Sequence, residues 1–223
     1  WLKYYHPAAF CCALLNSQPM GFYMPSQLIN DAKRHGVGIL PIDINRSYLD
    51  STLEYEDTFE RIASYDSVTS KIAIRIGFRM VKGLSQDASM KIVKARQAGK
   101  FSNIQELIFR SGINKGDLEF LAAADALSAL SGDRYRAFWQ ASAVDKITDN
   151  SFFADQRFFK GDFGVDVLLP IVSEEENIFS DYASVGFTLR AHPVALFRKH
   201  LNCYQVASAS ELSNVGDRVN VKV

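Results

Sequence analysis

The amino-acid sequence predicts a mostly α-helical fold with short β segments. In several stretches apolar residues recur at helical spacing, between a capping residue at the start and a glycine at the end. An apolar alternation through Ile72, Ile74, Ile76 and Phe78 is typical of a strand. A hydrophobic fraction of 48% and sixteen Phe residues exclude a mostly disordered chain.

The first seventy residues predict two helices followed by short extended pieces. Pro7 suits a first helical turn, and residues 7–16 carry an apolar stripe. A second helix is expected from Pro25 to His35, where Gly36 ends it. The stretches VGILPIDIN and STLEY read as short strands, and Tyr55 to Ser70 as a polar connection.

The next part of the chain predicts two short helix–turn–helix units. Ser85 is a good N-cap for a helix that Gly99 ends. Ser102 to Gln105 matches a capping box, and Asn114 or Asp117 would cap the helix after the second turn. The stretches LEFLAAADALSAL and DRYRAFWQASAVDK are both expected to be helical, and between residues 144 and 184 the chain becomes acidic and loop-rich.

Positive charge is concentrated around one glycine-containing turn. From Lys71 to Lys100 there are eight Lys and Arg residues and one acid, Asp87, which gives a local charge of +7. The whole chain has 25 basic and 25 acidic residues, so the remainder carries −7. Such an asymmetry favours an anionic partner.

The turn at Gly83 predicts a phosphate-binding hairpin. A glycine lets a phosphate oxygen approach the free amides at the start of the following helix, and Lys82 would add charge. Contacts of this kind bind duplex DNA without reading its sequence. The alternative is that Gly83 only ends a helix and that the lysines form a solvated face. The candidate DNA-binding residues are Arg79, Lys82, Gly83, Leu84, Ser85, Lys91, Lys94, Arg96 and Lys115.

The sequence offers no metal or nucleophile site that stands out. Three Cys, with Cys11 and Cys12 adjacent, suggest neither a disulfide framework nor the spacing of a zinc site. No apolar run is long enough for a membrane span, and the first residues lack the features of a signal peptide. A reducing cytoplasm is therefore expected. The start at Trp1 and the strand-like end VGDRVNVKV indicate a piece of a longer chain.

Four phrases in order resemble the bacterial C-family DNA polymerases: YHPAAFCCALLNSQPMGFY, DAKRHGVGILPIDIN, IRIGFRMVKGLS and LAAADALSAL. The segments GFRMVKGL and AAADAL are more similar to the error-prone branch than to the replicative alpha subunit. At the position of Ser85, the replicative subunit usually has a second glycine. The resemblance implies an end of the fingers with its connector (1–70), a tandem helix-hairpin-helix domain (71–146), an acidic linker and helix (147–203) and an incomplete start of an OB domain (204–223).

The resemblance also implies a reaction that this chain does not itself perform. The parent would be a DNA-directed DNA polymerase of damage-induced mutagenesis and translesion synthesis, with two Mg²⁺ ions held by palm aspartates. Those aspartates precede the fingers, so we expect no catalytic residue, metal or cofactor in this chain, and no polymerase activity. Asp43 is expected to be structural and Asp162 and Asp166 solvated.

A further partner and two alternative identities follow from the same comparison. Replicative members carry a clamp-binding peptide after the helix-hairpin-helix domain, where this chain has DNSFFADQ with Phe152 and Phe153 as the candidate anchors for a sliding clamp or another translesion protein. The alternatives are a fragment of a replicative DNA polymerase III alpha subunit and a free-standing, non-catalytic helix-hairpin-helix DNA-binding protein. A purely structural interaction module is a third.

Overall fold

The computed structural model describes residues 1–55, 72–142, 170, 172–204 and 206–212, and it confirms a mostly helical fold with short strands. The strands are β1 (Gly38–Leu40), β2 (Thr52–Tyr55) and β3 (Ile72–Arg75), and a 3₁₀ turn covers Phe78–Met80. The described helices are α1 (Leu2–Tyr5), α2 (Pro7–Asn16), α3 (Pro25–Arg34), α4 (Gln86–Arg96), α5 (Ile104–Ser111), α6 (Lys115–Ala123), α7 (Ser128–Ser131), α8 (Arg134–Ser142), α9 (Glu174–Ser184), α10 (Pro193–Cys203) and α11 (Ala209–Leu212).

Side-chain caps fix the starts of the helices around the predicted hairpins. Ser85 and Asn114 each accept a hydrogen bond from the amide three residues further on, as the sequence predicts for Ser85. The capping box expected at Ser102 does not form, and the helix cap lies one residue later: Asn103 caps α5, while Glu106 accepts from the amide and the hydroxyl of Ser102, the residue before the cap. The shift occurs because the Asn103 side chain, rather than the Ser102 hydroxyl, reaches the Glu106 amide.

The stretch LEFLAAADALSAL is not one continuous helix, and this expectation is wrong. The helix ends at Ala123, and Asp125 takes a left-handed conformation with φ of 58°. The reversal allows the Ala126 carbonyl to accept from the amide of Ile44, and it buries Ala126 and Leu127. Packing of these residues therefore outweighs the local helical pattern.

A three-stranded sheet lies under the N-terminal helices in the order β1–β3–β2. Strand β3 pairs parallel to β1 and antiparallel to β2, so that Ile74 faces Ile39 on one side and Leu53 on the other. Ile74 and Ile76 are buried, but so are Ala73 and Arg75 between them, and Ile72 is exposed, so burial does not follow the apolar alternation of the sequence. The strand thereby leads directly into the first hairpin.

The N-terminal helices and the hairpin region share one apolar core, and Asn45 is a main polar link between them. The Asn45 side chain donates to the carbonyl of Phe101 and accepts from its amide, at 2.9 and 2.8 Å. The Arg96 guanidinium donates to the carbonyl of Ile44 and lies over the ring of Tyr48. The loop that contains Ile44 and Asn45 therefore holds the hairpin region in place.

Helix α9 packs against the same body. Ile178 on this helix and Phe187 just after it are buried. Part of the stretch expected to be a loop-rich acidic linker is therefore a packed helix, capped by Ser173 through a capping box with Glu176. The reason is that Glu174, Glu175 and Glu176 lie in the first turn, where they favour the helix, while Ile178 is buried.

Several expectations fall on residues outside the described part of the chain. These include Phe152 and Phe153, Asp162 and Asp166, the polar connection after Tyr55, and the strand-like C-terminal run. Among the helices that are described, none combines the length and the apolar character needed to cross a bilayer.

Strand pairing generates a prediction for Glu54, which receives two hydrogen bonds from the buried Arg75 at 3.0 and 2.9 Å. These bonds hold the pKa of Glu54 below its usual range. The stabilisation is therefore present above the pKa of the unfolded chain and is lost as the pH falls through the folded-state pKa. We expect Glu54→Gln to lower the free energy of unfolding by about 1.5–3 kcal/mol at pH 7, measured by urea denaturation.

The difference between Glu54→Gln and the native chain should shrink when the pH is lowered through the depressed folded-state pKa of Glu54, because the native carboxylate then becomes protonated. Glu175→Gln, at an exposed position of α9, is the matched control and should change stability little at either pH. A pH-independent loss in Glu54→Gln would contradict the ion-pair explanation.

Candidate nucleic-acid interface

Two short hairpins with the same local design stand at the centre of the described chain. In the first, Gly83 has φ of 83° and is followed by Leu84 and the N-cap Ser85. In the second, Gly112 has φ of 61° and is followed by Ile113 and the N-cap Asn114. Each hairpin thus places a left-handed glycine two residues before the cap of a helix, α4 in one case and α6 in the other.

A buried carboxylate joins the two hairpins. Asp117, in the first turn of α6, is only 6% exposed, and its Oδ1 accepts a hydrogen bond from the amide of Ser85 at 3.2 Å. The amide of Asp117 itself donates to the Asn114 cap. The start of α4 and the start of α6 are consequently neighbours, and Asp117 is a residue that the sequence suggested only as a cap.

Gly83 is required by the protein's own packing. Its positive φ disfavours other residues, and a Cβ at this position would lie 2.6 Å from the ring of Phe120 on α6. The sequence assigned this glycine to the approach of a phosphate. The geometry supplies an internal reason, because the ring of Phe120 covers the side of the turn where a side chain would stand.

Lys82 points to helix α9. Its ammonium group donates to the carbonyls of Tyr182 and Ala183 at 2.9 and 3.1 Å, and its amide donates to Ser184 at 2.9 Å. These carbonyls belong to the last turn of α9, where the helix itself offers no donors. The predicted phosphate ligand is thus engaged with three successive carbonyls of the same chain.

Other predicted cations are also engaged by the protein. Arg79 contacts Asp50 at 2.6 Å, and Lys91 contacts Asp87 at 2.6 Å within α4. Arg96 lies half-buried against Tyr48, and burial lowers its pKa although the guanidinium stays charged. Leu84 packs against the apolar core. These basic residues, which lie close together in the sequence, therefore make separate contacts within the protein.

Lys94 and Lys100 differ from these cations. Both are exposed, and neither ammonium group has a hydrogen bond or an ion pair to another described residue. Lys94 lies on the same outer face of α4 as Lys91. Lys115 opens α6 at the second hairpin and is half-buried. The exposed side chains of Lys91 and Lys94 on α4 and of Lys100 in the loop after that helix are defined here as the basic surface.

A charged cluster that the sequence did not predict fastens α9 to the hairpin region. The buried Arg134 donates to Asp181 at 2.6 Å and to the carbonyl of Asn177. Asp181 also accepts from Thr188, and Arg190 bridges to Asp125 at 3.1 Å. Burial raises the pKa of Asp125, although both arginines oppose that shift. Arg134 and Asp181 are 47 residues apart in the sequence, and Arg190 and Asp125 are 65 apart, so no local sequence pattern predicts these pairs.

The residues considered for catalysis or metal binding are engaged in structural contacts. Asp43 accepts from the amide of Asn45, and its carbonyl accepts from Ser47, which forms a turn. Burial raises the pKa of the Cys11 thiol to about 11, a value typical of an unreactive core cysteine. Within the described residues, no group of three or more His, Cys, Asp or Glu side chains could hold a metal ion.

A cavity of about 400 Å³ separates the first hairpin from helices α8 and α9. Apart from Lys82 and two serines its lining is apolar, so it provides no pair of acid–base groups. Residues on its wall include Gly83, Phe120, Ala123, Phe138, Ala183 and Ser184.

Comparisons with known proteins place the hairpins in a recognised class. A family model described as a helix-hairpin-helix motif matches residues 36–137. This range contains both hairpins, strand β3 and the loop with Asn45. The expectation of a helix-hairpin-helix fold agrees with that match, while the domain bounds of 71–146 stay a prediction.

Three proteins called error-prone DNA polymerase are similar to nearly the whole chain. The one from Methylococcus capsulatus is 45% identical over 209 residues, which cover 91% of this chain and 19% of that protein. The one from Teredinibacter turnerae is 42% identical over 217 residues, 96% of this chain and 20% of that protein. The one from Hahella chejuensis is 41% identical over 212 residues, 95% and 19%. The chain spans about a fifth of the length of the curated relatives it matches.

The contact between Gly83 and Phe120 generates a double-mutant test. Gly83→Ala should lower the free energy of unfolding by about 2–4 kcal/mol, because it adds a left-handed alanine to a steric overlap. Phe120→Ala removes the overlap but not the backbone strain, so the double variant should be more stable than the sum of the single changes by about 1 kcal/mol or more. Denaturant titrations of the four proteins measure this coupling, and strict additivity would show that the ring does not restrict position 83.

Proposed function

The chain is homologous to one segment of the bacterial error-prone DNA polymerases, and we propose that this segment binds the sugar–phosphate backbone of duplex DNA. The observation that carries the proposal is the pair of matched hairpins that Asp117 joins, within the range of the helix-hairpin-helix match. The remaining parts of the full-length enzyme would perform the synthesis.

The proposed contact depends on the free amides at the starts of α4 and α6. Among the described residues, the amides of Gln86 and Asp87 in the first helix and of Gly116 in the second donate to no protein acceptor. Free amides at a helix start, together with the positive end of the helix dipole, favour an anion. Because every nucleotide has a phosphate, binding of this kind is independent of sequence.

The basic surface supports the same proposal. Lys91 and Lys94 are exposed on α4, and Lys100 is exposed in the loop after it. Within the described structure, the ammonium groups of Lys94 and Lys100 have no acidic partner to leave before they meet a phosphate. Neutralising a phosphate with a lysine releases a counterion, so the affinity should fall steeply with salt. The chain as a whole carries no net charge, and the attraction would therefore be local.

For the parent protein, we propose DNA-directed nucleotidyl transfer with tolerance of damaged templates, in the bacterial cytoplasm. The name of the relatives supports the error-prone branch over a replicative alpha subunit. The described residues do not fit a two-metal centre, since they bring together no suitable acidic group, and no catalytic step is assigned to them. We expect the chain alone to be inactive as a polymerase. Binding of a sliding clamp through Phe152 and Phe153 remains a proposal.

The basic surface generates a salt-dependence prediction. Lys94→Ala combined with Lys100→Ala should weaken binding to a random-sequence duplex and reduce the slope of log affinity against log salt by about 2, since each phosphate contact contributes about 0.9. Fluorescence anisotropy between about 50 and 200 mM salt gives both values.

Lys3→Ala is the matched control for this measurement, because Lys3 is an exposed lysine that pairs with Asp31 in the N-terminal helices. It should leave the slope unchanged. Equal slopes for all three proteins would exclude Lys94 and Lys100 as phosphate contacts, and no measurable duplex binding by the native chain would contradict the proposed function itself.

A further inference from the structure

Lys82 stands at the junction between the first hairpin and helix α9. Its ammonium group and its amide together donate to three successive carbonyls, those of residues 182, 183 and 184. Among the described residues, the other backbone donors at this end of α9 are the amides of Val185 and Gly186, and both donate to the carbonyl of Asp181. Lys82 is therefore the C-terminal cap of α9, supplied by a distant part of the sequence.

The chemistry of this cap is favourable for a lysine. The C-terminal end of a helix carries partial negative charge, and a cation there stabilises it. The bonds to Tyr182 and Ala183 use two of the three donors of the ammonium group and hold it at the end of α9. The cap therefore takes up most of the hydrogen-bonding capacity of Lys82.

The same turn is fixed on its other sides. Directly after Lys82, Gly83 lies against the ring of Phe120, and the amide of Ser85 is held by Asp117. Ser85 in turn caps α4. The position of Lys82 on α9 is thus connected, through a turn of four residues, to the starts of both helices that face the proposed DNA contact.

We propose that Lys82 is a positioning residue and not a phosphate ligand: by capping α9 it sets the first hairpin in the orientation that lets α4 and α6 meet duplex DNA. This inference rests on the proposed function and refines it. In this arrangement the phosphates are bound by the free helix-start amides and by the basic surface. Arg134 and Asp181 hold the other side of α9 and supply the rigid base that such a role needs.

The test compares three variants of the full chain. Lys82→Met removes the donors and keeps most of the side-chain length, Lys82→Arg keeps a cationic donor, and Lys94→Met removes a cation from the basic surface. Each protein is titrated with a random-sequence duplex at several salt concentrations. Hydrogen exchange, followed by mass spectrometry, reports the opening of Glu174–Ser184 and of the residues after it.

We expect Lys82→Met to accelerate exchange around the end of α9 and to reduce affinity roughly fivefold at every salt concentration, the effect of about one net hydrogen bond. Its salt slope should equal that of the native chain, and Lys82→Arg should recover both protection and affinity. Lys94→Met should lower the slope by about 0.9 and leave exchange in α9 unchanged.

Two results would overturn the inference. A slope lowered by about 0.9 in Lys82→Met, with normal protection of α9, would make Lys82 a phosphate ligand. Faster exchange with unchanged affinity would limit Lys82 to a structural role without effect on DNA. If the native chain binds no duplex, the proposed function fails, and exchange in Lys82→Met still shows whether the lysine caps α9.

Discussion

The hydrogen bond from the Ser85 amide to the buried Asp117 carboxylate is the interaction on which the geometry of the hairpin pair depends. Asp117 lies in the first turn of α6 and reaches the residue that caps α4, so one side chain fixes the starts of two helices relative to each other. A buried carboxylate is costly unless it receives hydrogen bonds. Its partner here is a backbone amide that every residue except proline offers, which makes the joint independent of the side chain at position 85.

The distribution of charge shows why a cluster in the sequence is not the same as a charged surface. A local charge of +7 suggested one basic face, yet most of its cations are engaged inside the chain, by carboxylates, carbonyl groups or an aromatic ring. Lys94 and Lys100 extend from the described surface without such partners. The attraction for DNA proposed here therefore depends on a few lysines and on helix-start amides.

Helix α9 connects this local geometry to the rest of the body. It is held by the Arg134–Asp181 ion pair and, at its end, by Lys82, and its Ile178 side chain is buried. The loop of Ile44 and Asn45 fastens the N-terminal helices to the same body from another direction. A phosphate-binding surface benefits from such support, because amides placed in advance lose little freedom when an anion binds.

The sequence by itself determined the class of fold, the positions of most helices, the strand at Ile72, the cap at Ser85, and the resemblance to error-prone DNA polymerases. These features depend on short-range patterns: apolar spacing, capping side chains and glycine at turns. Only the tertiary structure decided the break at Asp125, the packing of α9, and the partners of Lys82, Arg96 and Arg134. The physical reason is that these partners lie far away in the chain, so whether a lysine faces a phosphate or the end of a helix is set by folding and not by its neighbours in sequence.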